Sequence, residues 1–196
     1  MHYSGFMDAK PPQALQRLLE FVNTSDIEER TDEIATPATL RSWLGERGLM
    51  PAGTEVDDDD VAAARQLRET LRLALLANGG ATAATADAGD AGDATGVTAP
   101  ATSVPLQMTI APDGTATLEP TGTGVTAALG TLVSVIPGAI ADGSWARAKV
   151  CPKDSCRWAF YDQSRNRSRR WCAMDVCGNR EKTRAFRERQ QEAEQD

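Results

Sequence analysis

The stretch CPKDSCRWAFYDQSRNRSRRWCAMDVCGNR, residues 151–180, contains every cysteine of the 196-residue chain. Cys151 and Cys156 are separated by four residues, Cys172 and Cys177 by four more, and 15 residues lie between the pairs. Two short-spaced pairs at that separation can close a tetrahedral four-thiolate zinc site, each pair on a turn and the insert folding back as a hairpin. Within the insert, WAFYD (158–162) and RRWC (169–172) have strand composition and QSRNRS between them is polar and turn-forming, which predicts that these two segments pair with each other. Residues 178–195 have high helix propensity, placing the last thiolate at a helix N-terminus, where the dipole favours its charge.

Knuckle, hairpin and helix together describe a treble-clef-like or ribbon-like four-cysteine zinc finger. The competing reading is four ordinary buried cysteines or a redox pair, but the chain has no C-x-x-C and no cysteine elsewhere. One structural Zn2+ held by Cys151, Cys156, Cys172 and Cys177 is expected. Four thiolates close the coordination shell and leave no position for an activated water, which argues against a catalytic ion. Removing the metal is expected to unfold residues 147–190 and spare the rest.

The charge is segregated along the chain. Residues 1–146 carry 8 Lys and Arg against 20 Asp and Glu, a balance of −12, and residues 147–196 carry 13 against 8, a balance of +5. Arg165, Arg167, Arg169 and Arg170 fall in or beside the predicted hairpin turn, and Arg180, Lys182, Arg184, Arg187 and Arg189 line the following helix. Guanidinium groups bind phosphates bidentately and read guanine edges in the major groove, so these residues are candidate nucleic-acid contacts. Alternatively they solvate a small finger and pair with the acidic body, with Glu181 and Glu188 absorbing part of the charge. Trp158, Phe160, Tyr161 and Trp171 are read as hairpin core ahead of base-stacking groups.

The body, residues 1–146, reads as α+β, mainly helical with a small antiparallel sheet. Leu15, Leu18, Leu19 and Val22 mark a helix within Pro11–Asn23, and Thr36-Pro37 caps a second that buries Leu40, Trp43 and Leu44. The acidic run Asp57–Asp60 resembles a calcium loop only superficially, since no Gly-and-Glu pattern follows and a helical stripe begins at Val61. Residues 79–103, Gly, Ala, Thr and Asp-rich, bury too little to offset their ordering entropy and are predicted to be a loop. Alternation over Val104, Leu106, Met108 and Ile110, then the turn PDGT, predicts a hairpin with one apolar face. A helix bearing Val125, Leu129, Leu132, Val133, Ile136 and Ile140 follows, ended or kinked at Pro137.

The first residues have no apolar signal region and no 18-residue apolar run is evident, so a membrane is not an expected partner and a cytoplasmic location is. The single histidine is His2, so His-dependent catalytic constellations are excluded and no enzymatic activity is expected.

The tetrapeptide Cys177-Gly178-Asn179-Arg180, the cysteine spacing and the hairpin SRNRSRRWC resemble the CGNR zinc-finger family. LLEFVNT (Leu18–Thr24) and TPATLRSWLGERGL (Thr36–Leu49) look like the ABATE domain that accompanies it, described as belonging to predicted stress-induced transcription regulators. The resemblance implies a bacterial regulator whose finger binds DNA and whose body senses a small-molecule effector; a homodimer is the other way in which the body could reposition the finger. Asn23, Thr24, Trp43 and Arg68 are the residues to consider for a ligand, although Asn23 and Thr24 fit a helix C-terminal turn, Trp43 a core position and Arg68 a solvated helix face. The alternative is a zinc-stabilised module that binds RNA or an acidic protein without reading DNA sequence.

Overall fold

The computed structural model describes residues 11–80 and 102–180, together with positions 183, 187 and 190. His2 and nearly all of the 79–103 segment lie outside the described residues.

The body is organised around one long helix. Helix α1 (Gln13–Val22), the paired two-residue strands β1 (Ser25–Asp26) and β2 (Thr31–Asp32), and helix α2 (Pro37–Glu46) precede helix α3 (Asp58–Asn78). The acidic run starts α3 as expected: the Asp57 carboxylate accepts from the Asp60 amide at 2.9 Å and Asp60 returns the contact to the Asp57 amide at 3.2 Å, a reciprocal cap. Thr36 and Thr39 form the equivalent cap of α2, with Pro37 in its first turn. Val61, Ala64, Leu67, Leu71, Leu75 and Leu76 of α3 are buried against Leu15, Leu18 and Val22 of α1 and Leu40, Trp43 and Leu44 of α2.

Strands β3 (Leu106–Ile110) and β4 (Ala116–Pro120) form the predicted hairpin, in the register Met108 opposite Leu118. Its apolar face is only half used. Leu106 packs on the core, but Met108 is 60% and Ile110 71% exposed, because the ribbon overhangs the body beyond its first residue pair. The covered end lies against helix α4 (Gly124–Val133), where a Cβ on Gly130 would come within 3.2 Å of the Pro120 backbone, so only glycine permits this approach. The predicted single helix breaks at Ser134 and resumes as α5 (Ile136–Ala141) with Pro137 in its first turn. Ile140, read from the stripe as buried, is exposed. Gly124–Ala141 is long and apolar enough to cross a membrane by length and mean hydropathy alone, although it is no unbroken apolar run and Val125, Leu129, Leu132 and Val133 lie in the core.

Arg68 is not on a solvated face. Its guanidinium is buried and donates to Asp32 at 2.8 and 3.2 Å, to Glu69 at 3.0 Å and to the Thr24 hydroxyl at 3.2 Å. One turn on, Arg72 donates to the carbonyls of Val22 and Ser25 and to Glu69. Together they fasten α3 to the end of α1 and to the β1–β2 ribbon.

Burial raises the Asp32 pKa, but the Arg68 hydrogen bonds and charge, with the Ile34 amide and Arg65, carry it net below the usual carboxylate range. A depressed native pKa gives stability that is present above the unfolded-state value of about 4 and is lost as pH falls through the lower native value. Urea midpoints should therefore decline below about pH 4, and Asp32→Asn should both lower stability at neutral pH and flatten that decline. An unchanged acid slope in the variant would contradict the assignment.

Strands β5 (Ala148–Val150) and β6 (Ala159–Tyr161) complete the fold. The predicted pairing of WAFYD with RRWC does not occur. β6 pairs instead with the segment preceding Cys151, because Ala148, Val150 and Ala159 are apolar enough to join the body core while residues 169–172 are not. The result is three separate two-stranded ribbons among the described residues, and no shared sheet.

Candidate metal centre

The first cysteine pair sits in the β5–β6 turn. The Cys151 amide donates to the Trp158 carbonyl at 2.9 Å, extending the ladder one step past Val150. The chain then reverses: the amides of Cys156 and Arg157 both donate to the Lys153 carbonyl, at 2.9 and 3.0 Å, and Arg157 takes the left-handed conformation (φ 50). Of the second pair, Cys172 precedes a π-helical turn, Met174–Gly178, and Cys177 lies within it. The amides of Cys177 and Gly178 donate to the Ala173 carbonyl at 3.0 and 3.2 Å, and helical residues Asn179 and Arg180 continue from it, as do Thr183 and Arg187 farther on. The helical path therefore opens at Met174, earlier than Gly178, and Cys177 lies inside its first turn with its own amide satisfied. Gly178 leaves room here for the Met174 side chain, and a Cβ in its place would displace that side chain and press to 3.2 Å from the Trp171 ring.

These two turns bring all four sulfurs within 4.8 Å of one another. Cys156 and Cys172 are 3.5 Å apart, and Cys172 and Cys177 3.7 Å. A tetrahedron with Zn–S bonds near 2.3 Å has edges of about 3.8 Å, so the four residues fit a zinc ion. Hydrogen bonds from Cys156 and Cys172 pull the Cys151 thiol down to about 2. The same contact with Cys151 pushes Cys156 up to about 12, and contacts with Cys151 and Cys156 raise Cys172 as well. One thiolate is thus easily formed and its neighbours resist, which is the charge balance that a divalent cation relieves. When bound, zinc supplies a rigid four-way crosslink between the two turns.

The β5–β6 ribbon also carries a buried ion pair with no signature in the sequence beyond a lone lysine in AKV and an aspartate closing WAFYD. Lys149, 5% exposed, donates to the carboxylate of Asp162, 0% exposed, at 2.7 Å. Its ammonium also donates to the carbonyls of Arg167 at 2.5 Å and Arg169 at 3.2 Å. Asp162 in turn accepts from the amides of Ser164 at 2.9 Å and Arg169 at 3.0 Å. The pair thereby fixes the backbone of the arginine-bearing loop, including Arg167 at φ 53. Burial raises the Asp162 pKa, but Lys149 and Ser164 bring it net below the usual range.

The candidate nucleic-acid residues divide on this scaffold. Arg165, Arg167 and Arg170 are exposed, the last with its guanidinium 5.7 Å from the Trp171 ring centre. Arg169 is committed locally: it donates to the carbonyls of Trp171 (2.9 Å) and Cys172 and lies 4.9 Å over the Phe160 ring. Arg180 is paired with Glu28 of the β1–β2 turn at 2.6 Å. Arg187 is helical and exposed, while Lys182, Arg184 and Arg189, like Glu181 and Glu188, lie outside the described residues. Phe160 is buried and Tyr161 and Trp171 half-buried, but Trp158 is 38% exposed.

The residues considered for a ligand are mostly structural. Asn23 spends both ends of its amide on β6, donating to the Ala159 carbonyl at 2.9 Å and accepting from its amide at 2.7 Å. Thr24 accepts from Arg68 and donates to the Phe21 carbonyl at 2.8 Å. Trp43 is a core residue. Together with Asn78, which donates to the carbonyls of Trp145 and Ala148, Asn23 ties the cysteine-bearing strands to the body.

Comparison with protein-family models gives two matches. Residues 147–190 match the CGNR zinc finger, and residues 15–142 match ABATE, described as "Putative stress-induced transcription regulator". No curated protein matches the chain.

Proposed function

Since the chain belongs to the ABATE family and carries a CGNR zinc finger, we propose that it is a zinc-dependent, DNA-binding transcription regulator of the cytoplasm, acting by binding and not as an enzyme. The observation that carries this reading is the loop between Cys156 and Cys172, whose backbone is clamped by the buried Lys149–Asp162 pair while Arg165, Arg167 and Arg170 stand exposed on it. A rigid backbone bearing exposed guanidiniums suits phosphate contacts, which position a protein on a duplex. Base reading falls to the helix that continues from Cys177, where Arg187 is exposed. Arg180 joins it only by leaving Glu28, so the acidic body competes with nucleic acid for one contact. The body supplies the signal, through a bound effector or through assembly into a homodimer.

Selection from a random duplex library with the intact protein, repeated with Cys172→Ser, tests this. The wild type should enrich a defined sequence, and the variant should lose that enrichment by roughly tenfold or more as the metal-held loop disorders. Equal enrichment by both proteins would refute a zinc-organised reader, and binding without sequence preference would favour the RNA- or protein-interaction module instead.

A further inference from the structure

Where α1 faces β6, the body and the finger enclose a cleft of ≈ 480 Å³ whose lining includes Glu20, Arg47, Trp158, Phe160 and Arg169. That size suits a small organic molecule. The cleft is preformed, because Asn23 bolts α1 to Ala159 with both ends of its amide.

Arg47 is the group in it with unmet capacity. Its guanidinium stacks 4.0 Å over the Trp43 ring and one terminal nitrogen donates to the Trp43 carbonyl at 3.3 Å. Its Nε is buried without a hydrogen-bond partner. The nearest carboxylate oxygens, of Glu20 at 3.7 Å from Nε and of Glu46 at 3.9 Å from a terminal nitrogen, are too far to saturate the fork. Glu20 is itself engaged with Gln16 at 3.1 Å. The Nε is shielded from the cleft, but the terminal nitrogens, with one hydrogen bond between them, keep N–H groups that a carboxylate matches. The half-exposed Trp158 ring offers flat apolar surface in the same cleft, and the buried Phe160 ring, covered by Arg169, lines it beside Trp158.

We propose that this cleft binds an aromatic carboxylate, its acid group on Arg47 and its ring against Trp158. The site has a direct line to the metal centre. Arg169 lines the cleft, lies over Phe160 and donates to the Cys172 carbonyl, so an occupant that packs on Phe160 bears on the support of a zinc ligand. This deepens the regulator reading by giving its effector a place and a chemical class, and rests on that reading only for the effector's consequence.

Calorimetric titration of the zinc-loaded full chain with indole-3-acetate, using indole-3-acetamide as the uncharged control, tests the site. The acid should bind, and Arg47→Met or replacement by the amide should weaken binding roughly ten- to a hundredfold. Trp158→Ala, at a half-exposed position, should also weaken it, and Glu20→Gln should tighten it by removing a competing carboxylate. The amide control needs no variant, so the test survives if Arg47→Met misfolds. Absence of binding by the acid, or equal binding of acid and amide, overturns the proposal. Binding with the expected Arg47 dependence alongside a failed DNA selection would leave the site standing and the regulator reading refuted; DNA selection without acid binding would do the reverse.

Discussion

Replacing Asp162 by alanine is expected to destabilise the protein by about 3–5 kcal/mol, the cost of leaving one member of a buried ion pair alone. The loss has identifiable parts. The Lys149 ammonium would remain buried with only the carbonyls of Arg167 and Arg169 as acceptors. The amides of Ser164 and Arg169 would lose their acceptor at the same time. Lys149→Met should cost less, because the Asp162 carboxylate would keep both amide donors. Against a typical total stability of about 5–15 kcal/mol, the Asp162 effect is large enough to read directly from urea unfolding. Hydrogen exchange should locate the damage in residues 164–170. Because the amide of Arg169 is anchored by Asp162 and its side chain holds the Cys172 carbonyl, zinc affinity should fall with it. A loss below about 1 kcal/mol, or unchanged exchange in that loop, would show that the pair is not what holds it.

Chelating the metal is expected to divide the finger and not to unfold it as a unit. Structural zinc in isolated fingers supplies about 10–16 kcal/mol of apparent binding energy at neutral pH, enough to make folding metal-dependent where no other core exists. Here another core does exist for part of the module. Ala148, Val150 and Ala159 are buried within the body cluster, and Asn23 and Asn78 bond the backbone of the same segment. Residues 148–150 and 159–161 should therefore keep their exchange protection in metal-free protein, while 151–157 and 172–180 lose theirs. Cys151, Cys156 and Cys177, with Trp171 and Cys172 against them, form a small cluster separate from the body core, too small to hold its two turns together without a crosslinking metal. Uniform exposure of residues 147–180 on chelation would restore the expectation drawn from sequence alone, and full retention of protection would deny zinc any structural role.

The difference between those two expectations shows where sequence reasoning is strong. The cysteine spacing picked out the four residues whose sulfurs the fold gathers within 4.8 Å, because a tetrahedral thiolate site leaves a local imprint, two tight turns at a set separation. Helix starts at Thr36 and Asp57 were legible for the same reason: a cap is a contact between residues three apart. The stripe on α3 marked its buried side, yet it hid Arg68 and Arg72, since a periodic pattern registers apolar residues and is blind to a charge buried with its partner. Arg68 meets Asp32 across 36 positions, and no feature near either residue announces the other.

Strand pairing failed on the same ground. WAFYD and RRWC are both strand-like in composition, and proximity in the chain favoured joining them, but AKV offered β6 a partner that also fills the body core. Likewise arginines of equal apparent exposure in the sequence were sorted only by the fold, which engaged Arg169 on Cys172 and Arg180 on Glu28 and left Arg165, Arg167 and Arg170 open. Thus the amino-acid sequence by itself determined which cysteines gather into one cluster, the helices with their caps and the segregation of basic from acidic charge, all of which are properties of neighbours along the chain. Tertiary structure alone decided that the finger shares the body's core, that Lys149 and Asp162 clamp the arginine loop, and that Arg47 keeps an unanswered donor in the cleft between them. These depend on groups brought together from distant positions, where the burial and desolvation of each group are set by what packs over it.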